Sequence, residues 1–317
     1  MGKTTISRQP RPEYGPLSTI DYIYRFDPNS TEDKYLPPDS DSARKALEDG
    51  NRVYASWIES CRNHDPSQPC PEFLLPWHGL ALDSEHPPRQ APFAVVLGCA
   101  DARAPIEMVF GQASNDLFVV RVAGNVLADV CVGSIEYALS ALADSVKCVV
   151  VLGHLGCGAV TETVNAYLHP AEYTVKIQSF GIRSIVEKIF TPVKLSDDAI
   201  HRIWGPDAAR HHSYHKSLID VAVCVNAAQA ALDIRMEVRR VGKRDLGVLY
   251  GVFNLVTHQV SMPANPHLPA SDMKINLAVA PQGAASVNRL AERMAEILRP
   301  RARTTQRAGE KPRQESA

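Results

Sequence analysis

Two short segments of this 317-residue chain carry side chains that bind soft metal ions. Cys99, Asp101 and Arg103 follow an apolar run at 94–98, and His154 and Cys157 follow a second apolar run further along the chain. Two thiolates and one imidazole are borderline-soft donors that suit Zn²⁺. The His-x-x-Cys pair alone is a weak signal, but the two segments together predict one metal site supplied by two strands.

The number of ligands indicates which kind of zinc site this is. Three protein ligands leave a tetrahedral ion one open position, which a catalytic zinc needs, whereas a structural site usually has a fourth Cys or His. No further Cys or His lies within a few residues of either segment. If both runs are parallel strands, their carboxyl ends meet at the edge of the sheet where α/β proteins place their sites.

A simpler interpretation exists for each residue taken singly. A cysteine can be a buried thiol, a histidine a satisfied core residue, and an Asp-Arg pair can cap a helix. For five such residues at two strand ends we favour the metal site, although the Asp101–Arg103 pair can also be structural.

The two segments belong to a longer ordered pattern. Cys-Ala-Asp-Ala-Arg stands at 99–103, Asp-Leu-Phe-Val-Val-Arg-Val-Ala-Gly-Asn at 116–125, and Gly-His-Leu-Gly-Cys-Gly-Ala-Val at 153–160. In these motifs the sequence resembles the β-class carbonic anhydrases. The resemblance implies that Cys99, His154 and Cys157 are the zinc ligands and that Asp101 and Arg103 form the family's paired carboxylate and guanidinium.

The resemblance also implies the rest of a substrate pocket. Gln90 matches a residue that hydrogen-bonds the substrate, Phe118 and Tyr137 match its apolar wall, and the Gly158 amide matches a backbone contact. In the family these wall residues cross a dimer interface. The expected partners are therefore carbon dioxide or bicarbonate and further copies of the chain, in a homodimer or homotetramer.

The expected reaction is attack of zinc-bound hydroxide on carbon dioxide, which gives bicarbonate and a proton. Two thiolates formally cancel the charge of Zn²⁺, so the metal should acidify its water less than a three-histidine site, where the water pKa is about 7. We therefore expect a basic pH optimum. A lone Asp101 could bind the zinc and block its open position, and the Arg103 guanidinium can hold it away.

Two alternatives remain open at this point. The same site could hydrolyse carbonyl sulfide or carbon disulfide, which are linear electrophiles like carbon dioxide, or the chain could be a non-catalytic zinc-binding homologue that Asp101 keeps closed. Ala102 and Leu155 stand where the family often has serine. Both changes remove a hydroxyl, and Leu155 makes the pocket more apolar.

Composition indicates an ordinary soluble enzyme. The chain is 45% hydrophobic and 22% charged, and its formal net charge of −1 gives no reason to expect a nucleic-acid partner. No apolar run suggests a membrane span. The seven cysteines leave an odd number beyond the two ligands, with no secretory segment before them, and this favours the reducing cytoplasm.

The elements that must position these residues alternate between strand and helix. This predicts an α/β fold: a central, mainly parallel sheet flanked by helices, like that of the β-carbonic anhydrases, with an N-terminal helical arm. A helix at 42–61 should pack on the neighbouring subunit. We expect strands at 94–98, 117–122, 147–153 and 246–256, a hairpin through 259–261, an edge strand at 274–279, and further helices at 133–142, 159–168, 217–239 and 284–298.

One domain, 41–298, should hold this fold. Residues 1–40 are predicted to be an extended or disordered arm, and residues 299–317 a basic disordered tail. The segment 169–216 has no clear pattern. His211 and His215 have the i, i+4 spacing of metal ligands, but without a nearby carboxylate or Cys we favour a solvated loop or helix start.

Overall fold

The computed structural model describes residues 36–65, 67, 71–73, 86, 88–171, 179–242, 246–262 and 276–300. Strands and helices alternate along these ranges, as the sequence predicts. The strands are β1 Ala94–Gly98, β2 Leu117–Arg121, β3 Cys148–His154, β4 Gly247–Phe253, β5 Val260–Ser261 and β6 Ala278–Val279. The α-helices are α1 Ser40–Arg62, α2 Ile106–Val109, α3 Asp129–Ala141, α4 Gly158–Leu168, α5 Phe180–Trp204, α6 Tyr214–Arg240 and α7 Ala284–Ile297.

The strands form one mainly parallel sheet in the order β2-β1-β3-β4-β5. β1 pairs in parallel with both β2 and β3, and β3 pairs in parallel with β4. β5 and β6 both pair antiparallel with β4. This arrangement confirms the predicted fold class, and it brings the carboxyl ends of β1 and β3 side by side.

Both faces of the sheet are covered, which explains why its central strands are apolar throughout. Val95 and Leu97 of β1 face the large apolar cluster that contains α3, α4, α5 and α6. Ala94 and Val96, which alternate with them, face a second cluster that contains α1 and α2. Every residue of β1 and β3 is buried.

The first helix packs on this second face, within its own chain. Its Leu47 is fully buried, and a Cβ atom on Gly50 would lie 1.8 Å from the Phe110 carbonyl oxygen, so the helix approaches α2 closely. The Asn51 side chain donates to the Val109 and His258 carbonyls and accepts from the Val260 amide. The buried residues of this helix therefore pack on its own chain, and contact of its remaining surface with a neighbouring subunit stays a prediction.

The segment 169–216, for which the sequence predicted no element, contains the 25-residue helix α5. Pro192 stands inside it, and a proline disfavours a helix interior because it lacks an N–H donor. The helical signal was nevertheless present, since Val186, Ile189, Val193 and Ile200 recur at helical spacing and are buried.

The longest apolar helix, α6, lies in the core. Its length and hydropathy would allow it to cross a membrane, but 83% of its most apolar window is buried inside the protein. A helix that is apolar on all sides is typical of a large core as well as of a membrane.

Two predicted regions fall largely outside the described residues. Of the arm predicted at 1–40, only residues 36–40 are described, and α1 begins at Ser40 with the Asp39 side chain accepting from the Ser42 amide. Of the tail predicted at 299–317, only Arg299 and Pro300 are described. Both predictions stay predictions.

Candidate metal centre

The structure brings the three predicted ligands together. One donor atom from each of Cys99, His154 and Cys157 lies within 4.8 Å of the others, and all three residues are buried. Cys99 directly follows β1, His154 is the last residue of β3, and Cys157 directly precedes α4. The cluster therefore forms because two parallel strands end next to each other.

A tight turn joins His154 to Cys157. Gly156 lies in this turn with φ of 69°, in the left-handed region that a residue without a Cβ atom adopts readily. The turn ends at Cys157, the N-cap residue of α4. This reversal returns the Cys157 sulfur toward the strand ends, where the Cys99 sulfur lies 3.9 Å away.

These donors fit a tetrahedral zinc ion. Two sulfurs bound at about 2.3 Å with a tetrahedral angle between them would lie about 3.8 Å apart, close to the distance found here. The His154 Nδ1 contacts the Leu155 carbonyl at 3.1 Å, which assigns the proton to Nδ1 and leaves a lone pair on Nε2. That buried Nε2 atom has no hydrogen-bond partner, so it is suited to ligate a metal.

Hydrogen bonds and charge favour a thiolate at Cys99. The hydrogen bond from the Cys157 thiol holds the pKa of Cys99 well below its ordinary value, and the Gly124 amide donates to the same sulfur at 3.3 Å. The same pairing raises the pKa of Cys157. Burial acts to lower the pKa of His154, but the neighbouring Cys99 sulfur with its charge, the Leu155 carbonyl and the Asp101 carboxylate outweigh burial and raise it.

Asp101 and Arg103 form a two-point ion pair beside the cluster. The Arg103 guanidinium donates to the Asp101 carboxylate through Nε at 3.0 Å and Nη2 at 2.7 Å, and the Arg103 amide donates to Oδ1 at 2.9 Å. These bonds hold the pKa of Asp101 well below its usual range. The Asp101 Oδ2 atom lies 3.7 Å from His154 Nε2, so the carboxylate borders the position that a metal would take.

Two further residues hold the cluster, and sequence reasoning assigned no role to either. The Arg121 guanidinium, at the end of β2, donates to the carbonyls of Cys99, Asp101 and Ala104. The buried Asn226 of α6 donates to the Gly124 carbonyl at 2.8 Å. Arg121 lies in a segment that carries the family resemblance, but the partners of both residues follow only from the register of β1 against β2 and from the packing of α6.

The predicted wall residues lie at or near the surface. Phe118 of β2 is half-buried, and its ring centroid lies 6.4 Å from that of Tyr137 on α3, which is 57% exposed. Gln90 is exposed in the segment before β1. Gly158 is the exposed first residue of α4, where backbone N–H groups lack partners within the helix. Their roles toward substrate stay predictions.

His211 and His215, which have the spacing of metal ligands, form no metal site with other donors among the described residues. His211 contacts the Ser213 hydroxyl, and His215 at the start of α6 contacts the Asn165 side chain. Within the described ranges, the Cys99, His154 and Cys157 group is the one set of three or more such donors that could hold a metal ion. The interpretation of His215 as part of a helix start is confirmed.

Comparison with known proteins gives one family. The model of the carbonic anhydrase family matches residues 94–258, more than half of the chain. A carbonic anhydrase of Mycolicibacterium smegmatis is 38% identical over 158 residues, which are 50% of this chain and 66% of that protein. Carbonic anhydrase 2 of Mycobacterium tuberculosis is 36% identical over 166 residues, which are 51% of this chain and 69% of that protein.

The chain thus spans about two thirds of the length of these curated relatives. Among solved structures, the Coccomyxa β-carbonic anhydrase in complex with acetazolamide is 22% identical, with a TM-score of 0.39, over 68% of this chain and 83% of that one. The family match includes both strand ends and all three clustered donors. The protein belongs to the β-class carbonic anhydrase family.

Proposed function

We propose that this protein catalyses the reversible hydration of carbon dioxide to bicarbonate and a proton, with Zn²⁺ held by Cys99, His154 and Cys157. The observation that carries the proposal is the convergence of two sulfurs and an unpartnered imidazole nitrogen beside the Asp101–Arg103 pair. Family membership and the names of the curated relatives support the same reaction.

When bound, zinc supplies a Lewis acid that makes a water molecule nucleophilic. The chain sets the strength of that effect through its ligands. Cys99 and Cys157, as thiolates, cancel more of the metal's charge than neutral imidazoles would, so the acidifying effect is weaker than at a three-histidine site. We therefore expect the hydration rate to reach its plateau in the basic range.

Asp101 is proposed to act as a fixed hydrogen-bond acceptor beside the metal position. Arg103 keeps its carboxylate ionised and oriented, and it stops the carboxylate from turning onto the metal. Because the pKa of Asp101 is held low, the carboxylate stays ionised and can accept a hydrogen bond throughout the neutral and basic range.

The substrate pocket is proposed to be completed by a second copy of the chain. Tyr137 is 57% exposed although its ring packs on Phe118, and an aromatic side chain so placed is suited to burial by a partner. Gln90 and the Gly158 amide would then contact the substrate. A homodimer, or a homotetramer built from two of them, is the proposed assembly.

We propose the cytoplasm as the site of action. The support is the state of the cysteines, since Cys131 and Cys148 are buried thiols without disulfide bonds. A reducing compartment keeps the ligand thiols available for a metal.

The test is stopped-flow hydration of carbon dioxide with zinc quantified in the same sample. We expect activity that scales with zinc content and a rate that rises with pH to a basic plateau. Metal-replete protein without hydration activity at any pH up to about 9 would favour the non-catalytic homologue instead. A plateau already complete well below neutral pH would contradict the charge argument.

The same experiment should include carbonyl sulfide and carbon disulfide as substrates. Leu155 is buried in the apolar cluster that also contains Cys99 and Cys157, and this apolar surrounding is the feature that would favour those substrates. We expect carbon dioxide to be the faster substrate. A higher kcat/KM for either sulfur compound would replace the proposed activity with hydrolysis at the same site.

A further inference from the structure

The loop that carries the Asp101–Arg103 pair is hydrogen-bonded by a further arginine, Arg121. This loop, residues 99–104, contains the first ligand and the pair, and it has no helix or strand hydrogen bonding of its own. Arg121 is the last residue of β2 and is paired in register with Gly98, the last residue of β1. Its side chain therefore starts beside the point where the loop begins.

The Arg121 guanidinium donates to three carbonyls of this loop. Its Nε atom lies 3.1 Å from the Cys99 oxygen, and Nη2 lies 2.6 Å from the Asp101 oxygen and 3.3 Å from the Ala104 oxygen. Three carbonyls that converge on one point repel one another unless donors lie between them. A guanidinium presents several donors in one plane and keeps its charge at every physiological pH.

Asp101 is consequently held from two sides. On the side-chain side, Arg103 donates to both carboxylate oxygens. On the backbone side, the Asp101 carbonyl accepts both from Arg121 and from the Ala104 amide at 3.1 Å, which closes a turn. If the Asp101 peptide rotated, the carboxylate would lose its orientation. Because its Oδ2 atom lies only 3.7 Å from His154 Nε2, a small rotation would bring it to the position that a metal would take.

We propose that Arg121 is a positioning residue that keeps the Asp101 carboxylate paired with Arg103 and off the metal, by fixing the backbone of residues 99–104. This inference rests on the proposed function for its effect on activity, but its structural content concerns the loop alone. Removal of the guanidinium should free the loop without removing any of the three ligands. The variant should therefore change the orientation of the Asp101 carboxylate and leave metal binding unchanged.

The test compares Arg121→Gln with Arg210→Gln, a control at an exposed arginine that pairs with Asp207. Each protein is loaded with Co²⁺, whose visible absorption reports which groups bind it. We expect Arg121→Gln to retain one cobalt ion, to change its spectrum toward carboxylate ligation, and to lose about 10- to 100-fold in kcat. Guanidinium ion added at low concentration should partly restore the wild-type spectrum. Arg210→Gln should match the wild type.

A double variant separates a positioning role from a merely structural one. In an Asp101→Asn background no carboxylate can bind the cobalt, so Arg121→Gln should cause no further spectral change. An undiminished change in that background, or a wild-type spectrum and kcat for Arg121→Gln, would overturn the proposal. If Arg121→Gln does not fold, Arg121→Lys keeps the charge but not the planar donors, and a wild-type spectrum for that variant would also overturn it.

A measurement on metal-free protein completes the test. Hydrogen exchange at the Ala104 amide, which closes the turn, should be faster in Arg121→Gln than in the wild type, and unchanged exchange would count against the proposal. Absence of hydration activity in the wild type would instead refute the proposed function and leave the cobalt and exchange comparisons valid.

Discussion

The candidate site has two halves that the chain treats differently. The ligand half, made of Cys99, His154 and Cys157, is buried at 7% exposure or less and is fixed by strand ends and a tight turn. The proposed substrate half is open: Tyr137 is 57% exposed, and Gln90 and Gly158 lie at the surface. A single chain therefore brings the three metal-binding donors together by itself, whereas the proposed substrate pocket would be completed by a second copy of the chain.

The Asp101–Arg103 pair lies at the boundary between these halves. The Asp101 side chain is 16% exposed and that of Arg103 is 62% exposed. Such an exposed pair contributes little to stability. Its two-point geometry is better explained by the need to orient one carboxylate next to a metal.

The largest effect is expected from the ligand half. Cys157→Ser should lose stoichiometric zinc and reduce hydration to background, because a neutral hydroxyl is a much poorer zinc ligand than a thiolate. Zinc content and activity are measured together. Cys131→Ser, at another buried cysteine outside the cluster, should retain both. Full zinc occupancy in Cys157→Ser would contradict the assignment of the buried cluster as the metal centre.

A smaller loss is expected at the boundary. Arg103→Ala should lower kcat by about 10- to 100-fold while zinc stays bound, because Asp101 is then free to turn onto the metal. Arg103→Lys should fall between Arg103→Ala and the wild type, since a lysine supplies charge but not the two-point geometry. Loss of zinc in step with activity would contradict this separation of roles.

Substitutions in the open half should weaken the self-association of the protein. Tyr137→Ala should weaken self-association by about tenfold, since truncation of an interface aromatic costs about 1.4 kcal/mol, and should raise KM with zinc content unchanged. Sedimentation velocity over a range of concentrations measures the first effect. Met236→Ala, at an exposed apolar residue on α6, serves as the control. A monomeric wild type with full activity would show that the open half needs no partner.

The smallest expected effect is on the pH dependence of stability, and it concerns His258, which lies outside both halves of the site. Its ring lies 5.8 Å from Tyr54 and 5.9 Å from Phe253, and its Nδ1 atom is 3.3 Å from the Arg62 guanidinium. Burial, and then the charge of Arg62, lower its pKa. A lowered pKa means that the folded protein favours the neutral ring, so this contribution to stability is present above the unfolded value near 6.5 and is lost as the pH falls below it.

His258→Asn should therefore reduce the slope of the unfolding free energy against pH below about 6.5. Asparagine tolerates the positive φ of 59° found at this position. Arg289→Gln, at an exposed arginine of α7 that donates to the Ser286 hydroxyl and not to a carboxylate, should leave the slope unchanged. Activity at neutral pH should be retained in both variants. An unaltered acid slope in His258→Asn would show that this ring does not titrate on unfolding.

The sequence was sufficient for the ligand half because strand ends in a parallel sheet converge by topology. Once 94–98 and 147–153 are taken as neighbouring strands, Cys99 and His154 must share an edge. The contacts of Arg121 could not be predicted in the same way, because they require the register that places Arg121 beside Gly98. They also require the turn closed by Ala104 and Asp101.

The helical layer was harder to predict. The apolar period of 217–239 predicts helix α6, whereas Pro192, a residue that disfavours a helix interior, stands within the apolar spacing of α5. The packing of α1 on its own sheet depends on Gly50 and on the three hydrogen bonds of Asn51. A side-chain amide that connects distant segments leaves no periodic signal in the sequence.

The most direct measurement is X-ray absorption at the zinc K-edge of the purified protein. The structure predicts one zinc ion per chain with two sulfur neighbours at about 2.3 Å and lighter nitrogen or oxygen neighbours at about 2.0–2.1 Å. Cys157→Ser should remove the sulfur shell together with the bound metal. A zinc ion with only nitrogen and oxygen neighbours, or a zinc-free protein that still hydrates carbon dioxide, would contradict the account.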